Sequence, residues 1–252
     1  MVVIEQLALA AIAGLVGGAM NALAGGGTFA TMPALIALGL PSPQANATSN
    51  VALQPGAMTA AWGFREGLEP LGGLTIRTLS TITFVGGLAG SLLLVVTPTR
   101  TFDIIIPWLL LIAFLAIAFG KQAAQALRER VTIGVRTLLV AQSLLGLYGG
   151  YFGGGVGIMT TATYGLLAGM PPHRLMAPRT LMLAIANTAA AVVFIGFGMV
   201  RWWVCLPMLG GAIIGGWLGA KVGNRLPPAA IRLWTLGVTA ATTVVFFLRA
   251  YA

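Results

Sequence analysis

The fold is decided by a glycine-rich stretch that the chain contains twice, once in each half. The first copy reads GLVGG at residues 14–18 and GGG at residues 25–27, and the second reads GLYGG at residues 146–150 and GGG at residues 153–155. The agreement continues at an offset of about 130 residues through GLPSP and GMPPH at residues 39–43 and 169–173, and through FVGGLAG and IIGGWLG at residues 84–90 and 213–219. Such a repeat, with glycine-interrupted apolar segments at matching positions, is typical of membrane transporters whose site lies between the halves.

The composition points to the same class of protein. Hydrophobic residues make up 58% of the chain and charged residues only 8%, whereas soluble domains carry about 25% charged residues. The apolar runs are long and lack the alternation of a membrane β-barrel, which predicts an all-α polytopic membrane protein. The net charge of +9 comes from Lys and Arg in short connections between apolar runs. There they act as topology signals, so we expect no nucleic-acid partner.

Five apolar segments fit each half. They lie at residues 4–24, 27–40, 46–63, 75–97 and 102–120 in the first half, and at 136–152, 155–170, 175–197, 202–221 and 228–249 in the second. A full span needs about 20 residues, so the second segment of each half and the first segment of the second half are too short. Each half is therefore predicted to open with a glycine-broken helical hairpin, either spanning or re-entrant, followed by three transmembrane helices.

An odd number of segments per half implies that the second half is inverted relative to the first. With the N-terminus outside, eleven of the fourteen Lys and Arg residues fall on the cytoplasmic side and three on the outer side. A parallel alternative, in which each opening hairpin forms one span, splits them eight to six. The positive-inside rule favours two inverted repeats in the cell inner membrane with both termini periplasmic. We treat residues 1–252 as one transmembrane domain, with repeats at 1–120 and 136–252 and a hydrophilic cytoplasmic linker at 121–135 that is compatible with an amphipathic surface helix.

Several kinds of chemistry are missing from the predicted spans. All five acidic residues and the one histidine, His173, lie in predicted loops or at span ends. Proton and cation carriers usually keep such groups inside the membrane. No motif for a metal site, a catalytic triad or a nucleotide is present, and we expect no enzyme activity, no metal and no cofactor.

Two sets of residues are candidates for binding a substrate. Broken helices expose N–H groups at positively polarised helix ends, and glycine lets an anion approach them closely. The third segment of each half adds amides, hydroxyls and the guanidinium of Arg179, a bidentate donor for oxyanions. The predicted substrate-binding residues are Gly25, Gly26, Gly27, Thr28, Thr48, Ser49, Asn50, Gln54, Gly153, Gly154, Gly155, Arg179, Thr180 and Asn187. Alternatives remain open: close helix packing for the glycines, interhelical hydrogen bonds for the amides, and a snorkelling topology charge for Arg179.

The same motifs resemble a known family. The glycine cluster at 25–27 followed by Pro33, the GLP turn at 39–41 and the ATSN sequence at 47–50 resemble the TauE/SafE family of membrane permeases, also called sulfite exporters. The second half repeats the pattern as GGGVG and GMPP at residues 153–157 and 169–172. The resemblance covers essentially the whole chain and implies export of sulfite or of organosulfonates such as sulfoacetate across the bacterial inner membrane. One departure is Asn21, with two extra residues before the first glycine cluster.

We therefore expect a transporter that exports a small oxyanion by alternating access about a site between the repeats. Its expected partners are the anionic substrate and the lipid bilayer, and a homodimer is one option for its assembly. Two other functions remain open: a carrier of a metal cation or neutral solute, and a non-transporting membrane assembly factor.

Overall fold

The computed structural model describes residues 2–128, 134–167, 174–223 and 226–251, which contain ten α-helices and a short 3-10 turn at Arg65–Gly67. The helices are α1 Val2–Ala24, α2 Thr28–Ala37, α3 Ser42–Gly63, α4 Ile76–Val96, α5 Thr99–Arg128, α6 Val135–Tyr151, α7 Val156–Leu167, α8 Met176–Gly196, α9 Trp202–Gly223 and α10 Pro228–Tyr251. Each of the ten predicted segments is a helix. In the described residues six helices (α1, α4, α5, α8, α9 and α10) are long and apolar enough to cross a membrane. The prediction of an all-α polytopic membrane protein is confirmed.

The three segments predicted to be short are short. Helix α2 has 10 residues, the described part of α7 has 12 and α6 has 17, all below the length of about 20 residues that a full span needs. The breaks between the paired helices occur at the glycine clusters, where Gly25, Gly153 and Gly155 have φ values of +79°, +74° and +77°. Glycine adopts this left-handed conformation without the steric cost that a side chain adds.

Two helix ends differ from the sequence-based prediction. Helix α5 continues to Arg128, so the first part of the predicted linker extends this helix, because residues 121–128 (KQAAQALR) are strong helix formers without Gly or Pro. Helix α3 begins at Ser42, four residues earlier than predicted, because Pro43 lies in the first turn, where no N–H partner is needed. The rest of the predicted linker at 129–133, as well as His173 and the GMPP motif, lies outside the described residues.

The two halves are joined by two pairs of parallel helices, α1 with α9 and α6 with α4. Along the first pair Gly211 contacts the backbone of Ala11, and Gly219 contacts that of Ala19, so both chains run in the same direction. Gly90 and Gly150 make the equivalent backbone contacts between α4 and α6. Each half therefore packs its small-residue faces against the other half.

Corresponding helices of the two halves cross in opposite directions. In α3 and α8, Asn50 bonds to Asn187, and Gln54 bonds to the carbonyl of Ala184. In α5 and α10, the Tyr251 hydroxyl donates to the carbonyl of Ile104, and the Arg232 guanidinium donates to that of Ala118. These antiparallel pairs agree with inverted halves and disagree with four fused spans per half in parallel. The inversion across a membrane stays a prediction.

The bundle has two faces, named here after one arginine on each. At the Arg201 face, Ser42 donates to Asp103, and the Arg201 Nε donates to the Gln44 side chain at 2.9 Å. This face carries the starts of α1, α3, α5 and α9 and the end of α10. At the Arg65 face, residues 64–75 cover the starts of α6 and α8, with an ion pair of 3.1 Å between Glu69 and Arg174. The first turn of α1 and the last turn of α10 therefore lie at the same face.

Candidate substrate-binding site

A cavity of about 540 Å³ lies between the two halves toward the Arg65 face. Its wall extends from the middle to the end of α1, α3 and α9 and includes residues near the starts of α8 and α10. Most of the wall is apolar, and the polar side chains are Asn21, Thr59, Arg179 and Thr180. The cavity is thus built from both repeats, as expected for a site between them.

Arg179 is the charged group of this wall. It lies in the second turn of α8 and is only 8% exposed. Its Nε is buried and has no hydrogen-bond partner, and the ion pairs found among the described residues do not involve it. A snorkelling side chain would carry its head group to the surface, so this burial argues against that alternative. Because a buried charge without a partner is strongly destabilising, an anion in the cavity would stabilise Arg179.

The cavity also contains a polar residue that the sequence-based site omitted. Asn21 lines it from α1, whereas Arg179 and Thr180 line it from α8. The Thr180 hydroxyl donates to the carbonyl of Met176 at 2.9 Å, so in this rotamer its proton is not available to an anion in the cavity. The available signal was a single amide in the apolar run of α1, because polar side chains inside membrane helices are often functional. From the sequence, Asn21 is identified only as a difference between the two repeats.

The amides of α3 crosslink helices through their nitrogens. Asn50 Nδ2 donates to Asn187 Oδ1 at 3.2 Å, and Gln54 Nε2 donates to Thr188 Oγ1 at 2.5 Å. Asn46 Nδ2 donates to the carbonyl of Tyr151 at 3.1 Å. These are the interhelical bonds of the alternative interpretation. The amide oxygens of Asn46, Asn50 and Gln54 are nevertheless buried without a partner.

The predicted hydroxyl ligands of the first half lie outside the cavity wall. The Thr48 Oγ1 accepts the N–H of Arg201 at 3.0 Å and thereby ties α3 to the start of α9. The Ser49 and Thr31 hydroxyls bond to each other at 2.5 Å. Thr28 is buried in the first turn of α2. The hydroxyls of Thr48 and Ser49 therefore have hydrogen-bond partners within the protein.

The two glycine clusters pack closely, and the second half meets the first at Gly25. A Cβ atom on Gly25 would lie 2.9 Å from the Cα of Gly157, two residues after the second glycine cluster. One on Gly153 would lie 3.3 Å from the Asn50 Nδ2. Cβ atoms on the remaining four clustered glycines would also contact neighbouring atoms closely; these are Gly26, Gly27, Gly154 and Gly155.

The cavity wall does not include the six clustered glycines. Arg179 connects the two regions, since a Cβ atom on Gly157 would lie 3.6 Å from its Cγ. Within the described residues, the N–H groups of Gly26, Gly27, Gly154 and Gly155 donate to no acceptor. The structure therefore places Arg179 and Thr180 at the cavity wall, and Gly157, two residues after the second glycine cluster, contacts Arg179.

Gly155→Ala is expected to destabilise the protein. The new methyl group would lie 2.9 Å from the Phe29 ring and 3.2 Å from the Ala113 Cβ, at a backbone φ of +77°. Strain and overpacking together predict a loss of about 1–3 kcal/mol in unfolding free energy. Thermal unfolding of the purified protein measures this loss of stability. Gly196→Ala is the matched control, because no atom lies within 4 Å of its Cβ position. Equal melting temperatures for both variants would refute the packing role of Gly155.

A bundle of membrane-length helices with an unpaired buried cation on an internal cavity is the architecture of a membrane transporter. Residues 10–246 match the family described as sulfite exporter TauE/SafE, and the chain belongs to this family. The resemblance found in the motifs is thereby confirmed.

The chain is also similar to several proteins described as probable membrane transporters. It is 30% identical over 223 residues to one from Haemophilus influenzae, covering 87% of this chain and 86% of that protein. It is 29% identical over 213 residues to YfcA of Escherichia coli, covering 84% and 77%. It is 30% identical over 224 residues to ORF9 of a Sinorhizobium species, covering 87% and 82%. No solved structure matches the chain significantly.

Proposed function

We propose that the protein exports a small oxyanion, sulfite or a short organosulfonate, across the cell inner membrane. The observation that carries this proposal is Arg179, a buried guanidinium on the cavity wall whose Nε has no partner in the protein. A guanidinium offers a planar pair of donors that matches an oxyanion. The family description supplies the substrate class, and the chemistry of the cavity agrees with it.

The shape of the bundle supports alternating access about this site. The cavity reaches Arg179 from the Arg65 face. The opposite side of the α3–α8 interface is filled by buried side chains, including Phe102, Tyr151 and Phe194, with the first two rings in edge contact at 5.5 Å. Access from one face and closure at the other is the arrangement of one end state of an alternating-access carrier.

The charge distribution supports the orientation. Most described Lys and Arg residues lie at the Arg65 face, including Arg77, Arg136, Arg174 and Lys221. The positive-inside rule places such a face in the cytoplasm, so the cavity would open inward and both termini would be periplasmic. An interior-negative potential of about 100 mV drives each negative charge outward with about 2.3 kcal/mol. Export of an anion through this site therefore requires no coupling ion.

A ligand screen by thermal shift tests the proposal. We expect sulfite or a sulfonate to raise the melting temperature of the purified protein, because a ligand at about 100 times its Kd adds about 2.7 kcal/mol to the stability of the folded state. The panel contains sulfite, sulfate, sulfoacetate, taurine, and nickel and cobalt ions. A shift with the metal ions alone would indicate a cation carrier, and no shift with any ligand would favour an assembly factor. In proteoliposomes, anion flux that is independent of membrane voltage would contradict the export mechanism.

A further inference from the structure

We infer that the cavity selects a monovalent organic anion, with one oxyanion group at Arg179 and an apolar body against the remaining wall. This inference deepens the proposed function and rests on it. It separates the two substrates left open above and disfavours both inorganic sulfite and a dianion such as sulfoacetate. The chemistry of the cavity wall and the size of the cavity support it.

The wall provides for one negative charge. Arg179 is the charged residue among the described residues that line the cavity, and the other polar side chains there are neutral. A second oxyanion group bound inside the cavity would face apolar and neutral polar wall atoms, because Lys221 and Arg65 are not among the described residues that line it. Burying a charge in this way is costly unless it is paired, so the site favours a monoanion.

The rest of the wall provides for an apolar body. Leu53, Leu183, Ile213 and Trp217 belong to it, and they come from α3, α8 and α9. The volume of about 540 Å³ falls in the range of about 300–1,000 Å³ that is usual for sites of organic ligands. A water molecule occupies about 30 Å³, so sulfite, a single sulfur with its oxygens, would leave most of the apolar wall in contact with water. An alkyl or aryl group bonded to the oxyanion would cover it.

The entrance of the cavity is taken as its edge at the Arg65 face, where Lys221 follows the wall residue Ala220 and Arg65 follows the wall residue Phe64. The Lys221 ammonium lies 4.9 Å from the centre of the Trp217 ring, and Arg65 lies 4.4 Å from that of Trp62. Positive charge around an apolar cleft raises the local concentration of anions. The entrance therefore explains attraction of an anion, and the apolar wall beyond it explains the choice among anions.

A homologous series of ligands tests the inference. Dissociation constants of the full-length protein in nanodiscs are measured for sulfite, for methane-, ethane-, propane- and butanesulfonate, for the matching carboxylates and for ethane-1,2-disulfonate. We expect affinity to rise about fourfold per methylene, or about 60-fold from methane- to butanesulfonate. The carboxylate series decides whether the oxyanion group is a sulfonate or a carboxylate. The disulfonate should bind more weakly than ethanesulfonate.

Three variants control for lipid partitioning and misfolding. Nanodiscs with the Arg179→Gln protein should still show any partitioning of the alkyl chains into lipid, but they should lose specific binding of the whole series. Trp217→Ala should reduce the gain in affinity per methylene. Trp203→Ala, on the same helix but outside the described cavity wall, should leave both this gain and the affinity for methanesulfonate unchanged.

Sulfite binding as tightly as butanesulfonate, a flat series, or tighter binding of the disulfonate would each overturn the inference and leave anion transport standing. Absence of binding for every oxyanion tested would overturn the proposed function itself.

Discussion

Arg179→Gln is expected to abolish anion transport and to leave the fold intact. The substitution keeps a side chain of similar polarity but removes the positive charge and the two-pronged donor that would hold the substrate. Removing the charged partner of a buried anion costs about 3–5 kcal/mol of binding free energy. We therefore expect the rate of transport at limiting substrate to fall about 100-fold or more. The measurement is flux of sulfite and of a short sulfonate in proteoliposomes with matched amounts of protein.

The stability of this variant separates binding from a purely structural role. Arg179 is buried and its Nε is unpaired, so its replacement by a neutral amide should leave the melting temperature of the ligand-free protein unchanged or raise it. Arg179→Lys keeps the positive charge but lacks the planar pair of donors of the guanidinium, so it should retain part of the anion flux. Arg249→Gln removes an exposed cation near the Arg201 face and is the control. Wild-type anion flux in Arg179→Gln would contradict the assignment, and intact flux of a metal cation would support the alternative carrier.

The architecture was accessible from the sequence because it depends on local properties. Hydropathy and length identify membrane-length helices, and the glycine clusters mark the ends of the short helices because Gly25, Gly153 and Gly155 take a left-handed backbone conformation. Arg179 was identifiable as a bidentate donor for an oxyanion in the third segment of the second half. The extension of α5 to Arg128 also follows from a local property, the high helix propensity of residues 121–128.

The individual site contacts were less accessible because they join residues that are distant along the chain. Thr48 resembled a ligand in the sequence, but its partner is the Arg201 N–H at the start of α9, and no local pattern predicts that contact. Asn21 is the opposite case, since only the packing of α1 beside α3 and α9 shows that it lines the cavity. A repeat identifies equivalent positions, but the two copies have different surroundings, because Arg179 lines the described cavity and the aligned Ser49 does not.

Gly211→Ala is expected to destabilise the protein strongly, whereas Gly210→Ala, one residue earlier, is expected to be tolerated. A Cβ atom on Gly211 would overlap the carbonyl oxygen of Ala11 and lie 2.9 Å from the backbone nitrogen of Leu15. Helices α1 and α9 would have to separate to accept it. Overpacking of this kind costs about 1–3 kcal/mol or more. At Gly210 no atom lies within 4 Å of the Cβ position, so the effect should stay within about 1 kcal/mol.

The comparison of these neighbouring glycines tests how the halves are joined. Thermal unfolding followed by tryptophan fluorescence measures the difference, and gel filtration shows whether each variant remains monodisperse. Gly90→Ala should reproduce the loss, because its Cβ atom would overlap the Leu147 carbonyl in the equivalent α4–α6 pair. Since α1 and α9 also line the cavity, a separation of the two helices should weaken anion binding in any Gly211→Ala protein that still folds. Equal stability of the Gly210 and Gly211 variants would show that the two helices are not in backbone contact, and the site between the halves would then lack its structural basis.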